Sequence, residues 1–326
     1  MKKLLLTAMI VLAASNAYAR DQIRIVGSST VYPFATIVAE KFGQIGNATP
    51  IIESTGTGGG IKLFCSGIGI YTPDITNASR AIKKSEAALC EKNGVNFQEF
   101  VVGNDGLAFA SSSKSKRMDL GIEHIAVALS AECADQLQTW ADVDAFVAKQ
   151  TNTVKIGLPK RKINVMVPPP TSGTRDAMGE LFMKKGWKKL GLKGDGYKKL
   201  REDGKAIEMG ENDNLMVEKL VIEPTAFAIF GYSFYDTNRD KVQASKINGV
   251  TLTFDTIASY EYPGARPLFF YVKTDHAAVI PGLKQFVAEF ISEKAMGMDG
   301  YLFPAGLVPL SASDFQTQIA SLQKIK

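Results

Sequence analysis

Residues 23–33 read IRIVGSSTVYP, and this stretch decides the fold. An apolar, strand-like run over residues 23–26 gives way to a helix-like run over residues 31–42, and a Gly/Ser/Thr cluster fills the junction. Two later stretches repeat the pattern, PIIESTGTGGG at residues 50–60 and VMVPPPTSGTR at residues 165–175. Because strand-like and helix-like runs alternate in this way along the chain, the sequence predicts an α/β protein.

These three junctions predict an anion site. The first amides of a helix lack intrahelical acceptors and lie at the positive end of the helix dipole. Small hydroxyl side chains add donors, and glycine lets the backbone come close to a ligand. One junction of this kind is ordinary helix capping. Three of them, together with Arg80 and Arg175, indicate that the protein holds an oxyanion.

The two arginines differ in what their positions indicate. Arg175 stands in the first turn of a predicted helix, where a cation opposes the helix dipole, so we expect an anion beside it. Its guanidinium fork is suited to two ligand oxygens. Arg80 follows the polar segment Asn77-Ala78-Ser79. Taken singly, Arg80 is as readily the partner of a structural ion pair.

The first residues are typical of an export signal. Lys2 and Lys3 precede an apolar run over residues 4–14, and Ala17-Tyr18-Ala19 matches a small-residue cleavage site. We therefore expect residues 1–19 to be a signal peptide and the mature, soluble protein to reach the periplasm. Removing the two lysines lowers the formal net charge from +5 to +3 (5 − 2), which does not demand nucleic acid.

The length predicts two domains. About 307 residues (326 − 19) exceed what one hydrophobic core usually serves. The Gly- and Pro-rich intervals 103–107 and 262–267 are candidate hinges. We expect lobe 1 to combine residues 20–105 with 262–326, and lobe 2 to be the inserted segment 106–261.

Cysteine and histidine usage gives no support for catalysis or metal binding. Cys65 and Cys90 either form a disulfide or, with Cys133, are three buried thiols, and the sequence leaves both possibilities open. The chain has only two histidines and no CxxC or GxSxG motif, so we expect no metal, no cofactor and no enzymatic activity.

Hydrophobic patterns predict the remaining elements. The predicted strands cover residues 51–52, 74–78, 97–102, 107–110, 165–167, 226–229 and 266–272. The predicted helices cover residues 61–65, 85–92, 134–150, 175–185, 214–220, 283–290 and 312–325.

Four segments carry a family resemblance: the first junction (GSSTVYP, 27–33), the second junction (GTGGGIK, 56–62), the fourth segment (NASR, 77–80) and the third junction (TSGTR, 171–175). Because it has these four segments in this order, the chain resembles the PstS-like periplasmic phosphate-binding proteins that feed Pst-type ABC transporters. The resemblance covers essentially the whole mature chain. It implies a type II periplasmic-binding-protein fold, in which two α/β lobes are joined by two hinge strands and the ligand lies between them. It also implies an ABC permease as partner and a monomeric protein.

The resemblance also implies that six residues bind the ligand: Thr30, Val31, Thr57, Ser172, Gly173 and Thr174. The junction pattern and the two arginines add Ser29, Gly58, Ser79, Arg80 and Arg175 to the expected ligand residues. In the first junction the amides of Thr30 and Val31 are expected to point at the ligand.

One departure from the family bears on selectivity. Better-known members have an Asp directly after the Ser of the fourth segment, where it accepts the proton of hydrogen phosphate, and here that position is Arg80. Sulfate carries no such proton, so a buried acceptor carboxylate favours phosphate over sulfate. Another acceptor is needed, and the candidates are Asp176, Glu180 and Glu211.

The sequence thus predicts a periplasmic protein that captures inorganic phosphate and delivers it to an ABC permease. One alternative keeps the fold and changes the ligand to sulfate, molybdate or a phosphonate. Another is a secreted phosphoryl- or acyl-transfer enzyme that uses a Ser near the Gly-rich junctions. A third is an adhesion or scavenging protein without a transporter.

Overall fold

The structure is a computed structural model that describes residues 20–170, 172–210 and 213–325. The predicted signal peptide, residues 1–19, lies outside these ranges. Within them the chain forms a curled mixed sheet with helices packed against it. The strands are β1 (Arg24–Gly27), β2 (Ile51–Ser54), β3 (Ile75–Ala78), β4 (Phe97–Ser112), β5 (Val165–Val167), β6 (Ala206–Glu208), β7 (Phe227–Gly231), β8 (Val242–Ala244) and β9 (Ala265–Lys273).

The sheet consists of two parallel groups joined by antiparallel strands. Its order is β2-β1-β3-β9-β4-β7-β5-β6, and β8 pairs with the end of β4. β1 pairs parallel with β2 and β3, and β5 pairs parallel with β6 and β7. β9 runs antiparallel to β3 and β4, and β4 runs antiparallel to β7. The long strands β4 and β9 therefore connect the two groups.

The helices follow the strands in the alternation that the sequence predicts. They are α1 (Tyr32–Gln44), α2 (Thr57–Phe64), α3 (Lys84–Lys92), α4 (Ile122–Leu129), α5 (Trp140–Thr151), α6 (Gly173–Met178), α7 (Lys185–Lys189), α8 (Asp213–Ile222), α9 (Tyr232–Thr237), α10 (Phe254–Ala258), α11 (Leu283–Phe290), α12 (Glu293–Met296) and α13 (Ala312–Ser321). A π-helical segment, Gly179–Lys184, makes α6 and α7 one continuous helical run. Pro33 stands in the first turn of α1, where its missing N–H costs nothing.

The prediction of two strands over residues 97–102 and 107–110 is wrong, because both belong to β4. The interval 103–106 reads GNDG, which is typical of a turn. It stays in the strand because β9 pairs with β4 before and within this interval, and β7 pairs with β4 from Leu107 onward. The ladder accommodates the interval with a register shift between Val101 and Gly103.

The prediction of a helix over residues 134–150 places its start too early. α5 begins at Trp140 because Thr139 caps it. The Thr139 hydroxyl accepts from Asp142 N at 3.2 Å, and the Asp142 carboxylate accepts from Thr139 N at 2.8 Å. This reciprocal capping box fixes the first turn.

The buried apolar side chains form separate clusters on the two parallel groups. One cluster draws on residues 107–265 and Val308. Another draws on residues 23–102 and 268–325. A smaller cluster packs α2 and α3 against β9. β4 and β9 each contribute to both large clusters, so they pass from one core to the other.

Cys65 and Cys90 form a disulfide, which selects one of the two possibilities that the sequence leaves open. Cys65 follows α2 directly, and Cys90 lies in α3. Cys133 is a buried free thiol. The disulfide therefore ties the helix of the second junction to its neighbour.

Removing this disulfide should lower the stability of the protein. The double variant Cys65→Ser/Cys90→Ser opens a 25-residue loop, and we expect the free energy of unfolding to fall by about 3 kcal/mol. Urea denaturation measures this loss, with Cys133→Ser as the control for placing a hydroxyl at a buried cysteine. A double variant no less stable than the control would show that the disulfide contributes nothing.

Candidate functional site

Five of the eleven predicted ligand residues line a cavity of about 470 Å³ that we call the arginine cavity. Its lining includes the second junction, the fourth segment and the start of α6. The lining residues are Thr57, Gly58, Ser79, Arg80, Arg175, Asp176, Gly179, Glu180, Lys184, Tyr197, Lys198 and Arg266.

The second junction presents the start of α2 to this cavity. Gly60 N donates to Gly56 O, so the amides of the three residues before Gly60 have no acceptor inside the helix. Thr57 Oγ1 accepts from Ser79 N at 3.1 Å and lies 3.1 Å from Ser79 Oγ. These contacts hold the second junction against the fourth segment.

Glycine at position 60 allows α2 to lie against β1. A Cβ there would lie 2.4 Å from the Cα of Gly27, well inside van der Waals contact. The helix therefore packs backbone against backbone, and its first turn is held at the end of the strand.

The first and third junctions touch each other directly. Thr30 Oγ1 donates to Gly173 O at 3.1 Å, and the Ser29 hydroxyl donates to the Asp176 carboxylate. A Cβ at Gly173 would lie 2.3 Å from the Cα of Thr30. The two helix starts can approach this closely only because position 173 is glycine.

A second cavity, of about 370 Å³, lies beside this contact, and we call it the serine cavity. It is lined by the predicted residues Ser29, Thr30, Ser172, Gly173 and Thr174. Ser172 caps α6, because its hydroxyl accepts from Thr174 N at 3.2 Å. Thr171 lies outside the described residues. Ten of the predicted residues thus line one of the two cavities, five in each.

The first junction differs from its prediction in detail. The amide of Thr30 does not point at a ligand site, because it donates to Ser28 Oγ at 3.2 Å. The side chain of Val31 packs in the core that contains α1, and the role of its amide stays a prediction. What Thr30 presents at the junction is its hydroxyl.

Arg80 lines the arginine cavity with its charge already paired. Arg80 Nη1 and Nη2 donate to the two Glu86 carboxylate oxygens at 2.9 and 2.8 Å. The hydrogen bond from Arg80 holds the pKa of Glu86 below its ordinary value, and the same bond raises the pKa of Arg80. The ion-pair interpretation of Arg80 is therefore correct, and the guanidinium is also fixed at the cavity wall.

Arg175 also has a carboxylate partner. Its Nη2 donates to Glu208 Oε1 at 2.7 Å, and its Nη1 donates to Pro168 O at 2.6 Å. The anion that we expect beside this first-turn cation is thus supplied at least in part by the protein. Arg175 still lines the arginine cavity.

Arg266 is a third arginine of this cavity and is not among the residues that the sequence predicts. Its side chain is 7% exposed, and its Nε donates to Asp105 Oδ2 at 3.1 Å. Its Nη2 donates to Thr30 Oγ1 at 2.8 Å. A charged residue at the start of an apolar predicted strand, beside a candidate hinge, was the signal that could have found it.

Two of the three candidate acceptor carboxylates line the arginine cavity. Glu180 is bound to Lys184 at 2.7 Å. Burial alone would raise the pKa of Glu180, but the Lys184 ammonium, together with the charges of Arg266 and Arg80, lowers it below its ordinary value. Asp176 is exposed and accepts from the Ser29 hydroxyl. Glu211 lies outside the described residues.

The described residues contain no group of three or more His, Cys, Asp or Glu side chains that could hold a metal ion. In the same part of the chain, every helix is too short or too polar to cross a membrane.

The profile of the PBP superfamily domain matches residues 12–294. The chain therefore belongs to the PBP superfamily, and its fold is the predicted periplasmic-binding-protein fold. Protein SphX of Synechocystis sp. is 30% identical over 288 residues, which cover 86% of this chain and 77% of the relative.

Two further relatives carry phosphate in their names. Phosphate-binding protein PstS of Staphylococcus saprophyticus is 27% identical over 318 residues, which cover 96% of this chain and 88% of that protein. The crystal structure of a possible phosphate binding protein from Planctomyces limnophilus matches with a TM-score of 0.75 at 27% identity, covering 93% of this chain and 98% of that one. The predicted resemblance to phosphate-binding proteins is confirmed.

The Arg80–Glu86 pair predicts a pH-dependent contribution to stability. Because the folded-state pKa of Glu86 is lowered, its contribution is complete above the ordinary value of 4.5 and is lost as the pH falls through the folded-state pKa. We expect Glu86→Gln to lower the free energy of unfolding by about 1 kcal/mol at pH 7 and by much less in strong acid. Urea denaturation at both pH values measures this, and Glu91→Gln, an exposed position on α3, is the control. An equal deficit at both pH values would refute the linkage.

Proposed function

We propose that this protein captures inorganic phosphate between its two lobes and delivers it to an ABC permease. The phosphate oxygens are bound by the amides of the second junction, by hydroxyls of the four segments and by the arginines. No covalent bond forms or breaks in this cycle. The protein acts as a monomer in the periplasm, where the predicted signal peptide, residues 1–19, directs it.

One observation carries this proposal: three arginines line a cavity into which the start of α2 opens. Each guanidinium is oriented by a carboxylate, Glu86, Glu208 or Asp105, so its direction is fixed before a ligand arrives. Forked N–H donors and helix amides are the groups that bind phosphate oxygens best. The names of the relatives point to the same ligand.

The lobes of this proposal are residues 20–105 with 262–326, and residues 106–261. The division of the apolar cores and the passage of β4 and β9 from one core to the other support these boundaries. The two strands serve as the hinge. Closure brings the first junction of one lobe against the third junction of the other.

Asp176 is the carboxylate that accepts the phosphate proton. Glu180 is paired with Lys184, and Asp105 is paired with Arg266, whereas Asp176 accepts a hydrogen bond from the Ser29 hydroxyl. An acceptor-only group at the cavity wall favours a protonated oxyanion over sulfate. In this proposal Asp176 takes the role of proton acceptor, which better-known family members give to an aspartate at the position of Arg80.

Calorimetry tests the proposal. Refolded, anion-free protein should release or absorb heat on titration with phosphate, and an excess of sulfate should leave the affinity unchanged. In Asp176→Asn we expect phosphate affinity to fall roughly tenfold, about 1.4 kcal/mol, and sulfate to become a competitor. Glu218→Gln, an exposed position on α8, is the matched control. A wild-type protein that binds neither anion would refute phosphate capture. If excess sulfate displaces phosphate from the wild-type protein, the protein is a general oxyanion receptor.

Closure itself can be tested at Gly173. A methyl group there meets the backbone of Thr30 at 2.3 Å, so Gly173→Ala must hold the lobes apart. We expect phosphate affinity to fall by a factor of about 10 or more. Gly179→Ala is the control, because the new methyl group meets nothing within 4 Å although Gly179 lines the arginine cavity. Equal affinities for the two variants would argue against closure at this contact.

A further inference from the structure

Arg266 and Asp105 lie where the two long strands pass between the cores. β4 contributes Val102 to one core and Leu107 to the other, and β9 changes cores over the same interval. Asp105 and Arg266 are directly opposite each other in this antiparallel pair. Both residues belong to the lobe formed by residues 20–105 with 262–326, and their ion pair joins the two hinge strands at the point where these strands pass towards the other core.

A continuous line of hydrogen bonds starts from this pair. Arg266 Nη2 donates to Thr30 Oγ1 at 2.8 Å, and Thr30 Oγ1 donates onward to Gly173 O at 3.1 Å. The hydroxyl thus accepts on one side and donates on the other, which is the arrangement in which neighbouring hydrogen bonds strengthen each other. The line runs from the hinge, through the first junction, to the start of α6.

The other two arginines lack such a connection. Arg80 pairs with Glu86, six residues away, and Arg175 pairs with Glu208 on β6, the strand next to β5 in the same parallel group. Each of these pairs stays within one lobe. Arg266 touches a hinge strand and the first junction, and through Thr30 it reaches the opposite lobe.

Arg266 is also one of the arginines that line the arginine cavity. Its side chain is 7% exposed and that of Asp105 is 14% exposed, so their charges interact through little solvent. An anion in the cavity adds a partner to a guanidinium that already holds the hinge and Thr30. Because the same guanidinium donates to Thr30, an interaction between the anion and Arg266 also stabilises the contact between Thr30 and Gly173.

We propose that Arg266 is a positioning residue that couples anion binding in the arginine cavity to closure of the lobes. Asp105 holds the guanidinium in the direction in which it also donates to the Thr30 hydroxyl, and the bound anion stabilises that same arrangement, in which the hydroxyl contacts Gly173. Because such coupling is reciprocal, closure strengthens anion binding by the same factor. The inference rests on the proposed function in taking the anion to be phosphate.

The test compares phosphate affinity with compaction of the whole protein. Calorimetry gives the Kd, and small-angle X-ray scattering gives the radius of gyration with and without saturating phosphate. The wild type should become more compact on binding. We expect Arg266→Gln to bind phosphate at least 30-fold more weakly, and to compact incompletely even at saturation. Arg266→Lys keeps the charge without the fork, so it should bind better than Arg266→Gln and still compact incompletely.

Arg175→Gln is the matched comparison, since it removes the same charge from the same cavity. It should weaken binding and still compact fully at saturating phosphate, because its contacts stay within one lobe. The double variant Asp105→Asn/Arg266→Gln guards against misfolding, since it leaves no buried unpaired carboxylate. It should unfold cooperatively and compact incompletely, like Arg266→Gln.

Full compaction of the double variant, with a Kd within twofold of the wild type, would overturn the coupling and leave Arg266 as a structural ion pair. So would incomplete compaction of Arg175→Gln to the same degree as Arg266→Gln. Neither result would contradict the proposal that the protein captures phosphate. A wild type that neither binds phosphate nor compacts would refute the proposed function itself, and with it the coupling.

Discussion

The backbone contact between Thr30 and Gly173 is the constraint on which the rest of the site depends. It places the starts of two helices, α1 and α6, side by side. Their dipoles present the same sign to each other, and three arginines lie close by. So much positive potential at one place is unfavourable unless negative charge is brought to it. The carboxylates around the cavity supply such negative charge, and a bound anion would supply more.

The carboxylates do more than neutralise. Glu86, Glu208 and Asp105 each hold one guanidinium in a fixed direction, so the donors need little rearrangement when a ligand enters. The cost is that each arginine shares its charge between a protein partner and the ligand. Asp176 differs from these three because it accepts a hydrogen bond from a hydroxyl, that of Ser29.

The junctions were predictable because they are local. A strand, a Gly/Ser/Thr cluster and a helix are read within a dozen residues, and the structure has helix starts at Tyr32, Thr57 and Gly173. Pairing across long separations was not predictable. Glu208 neutralises Arg175 from 33 residues away, and Arg266 reaches Thr30 across 236 residues. The continuity of β4 through a turn-like GNDG segment likewise depends on β9, which lies far along the chain.

The disulfide affects how much conformational entropy the protein loses when it captures a ligand. It joins the end of α2 to α3, and α3 carries the Glu86 that orients Arg80. The amides of the second junction and the Arg80 guanidinium thus sit on one covalently closed unit. A unit that is already stiff loses little conformational entropy when it captures an ion. In a reducing environment the same side chains would be present, but the half-site that they form would have to be ordered anew at each encounter.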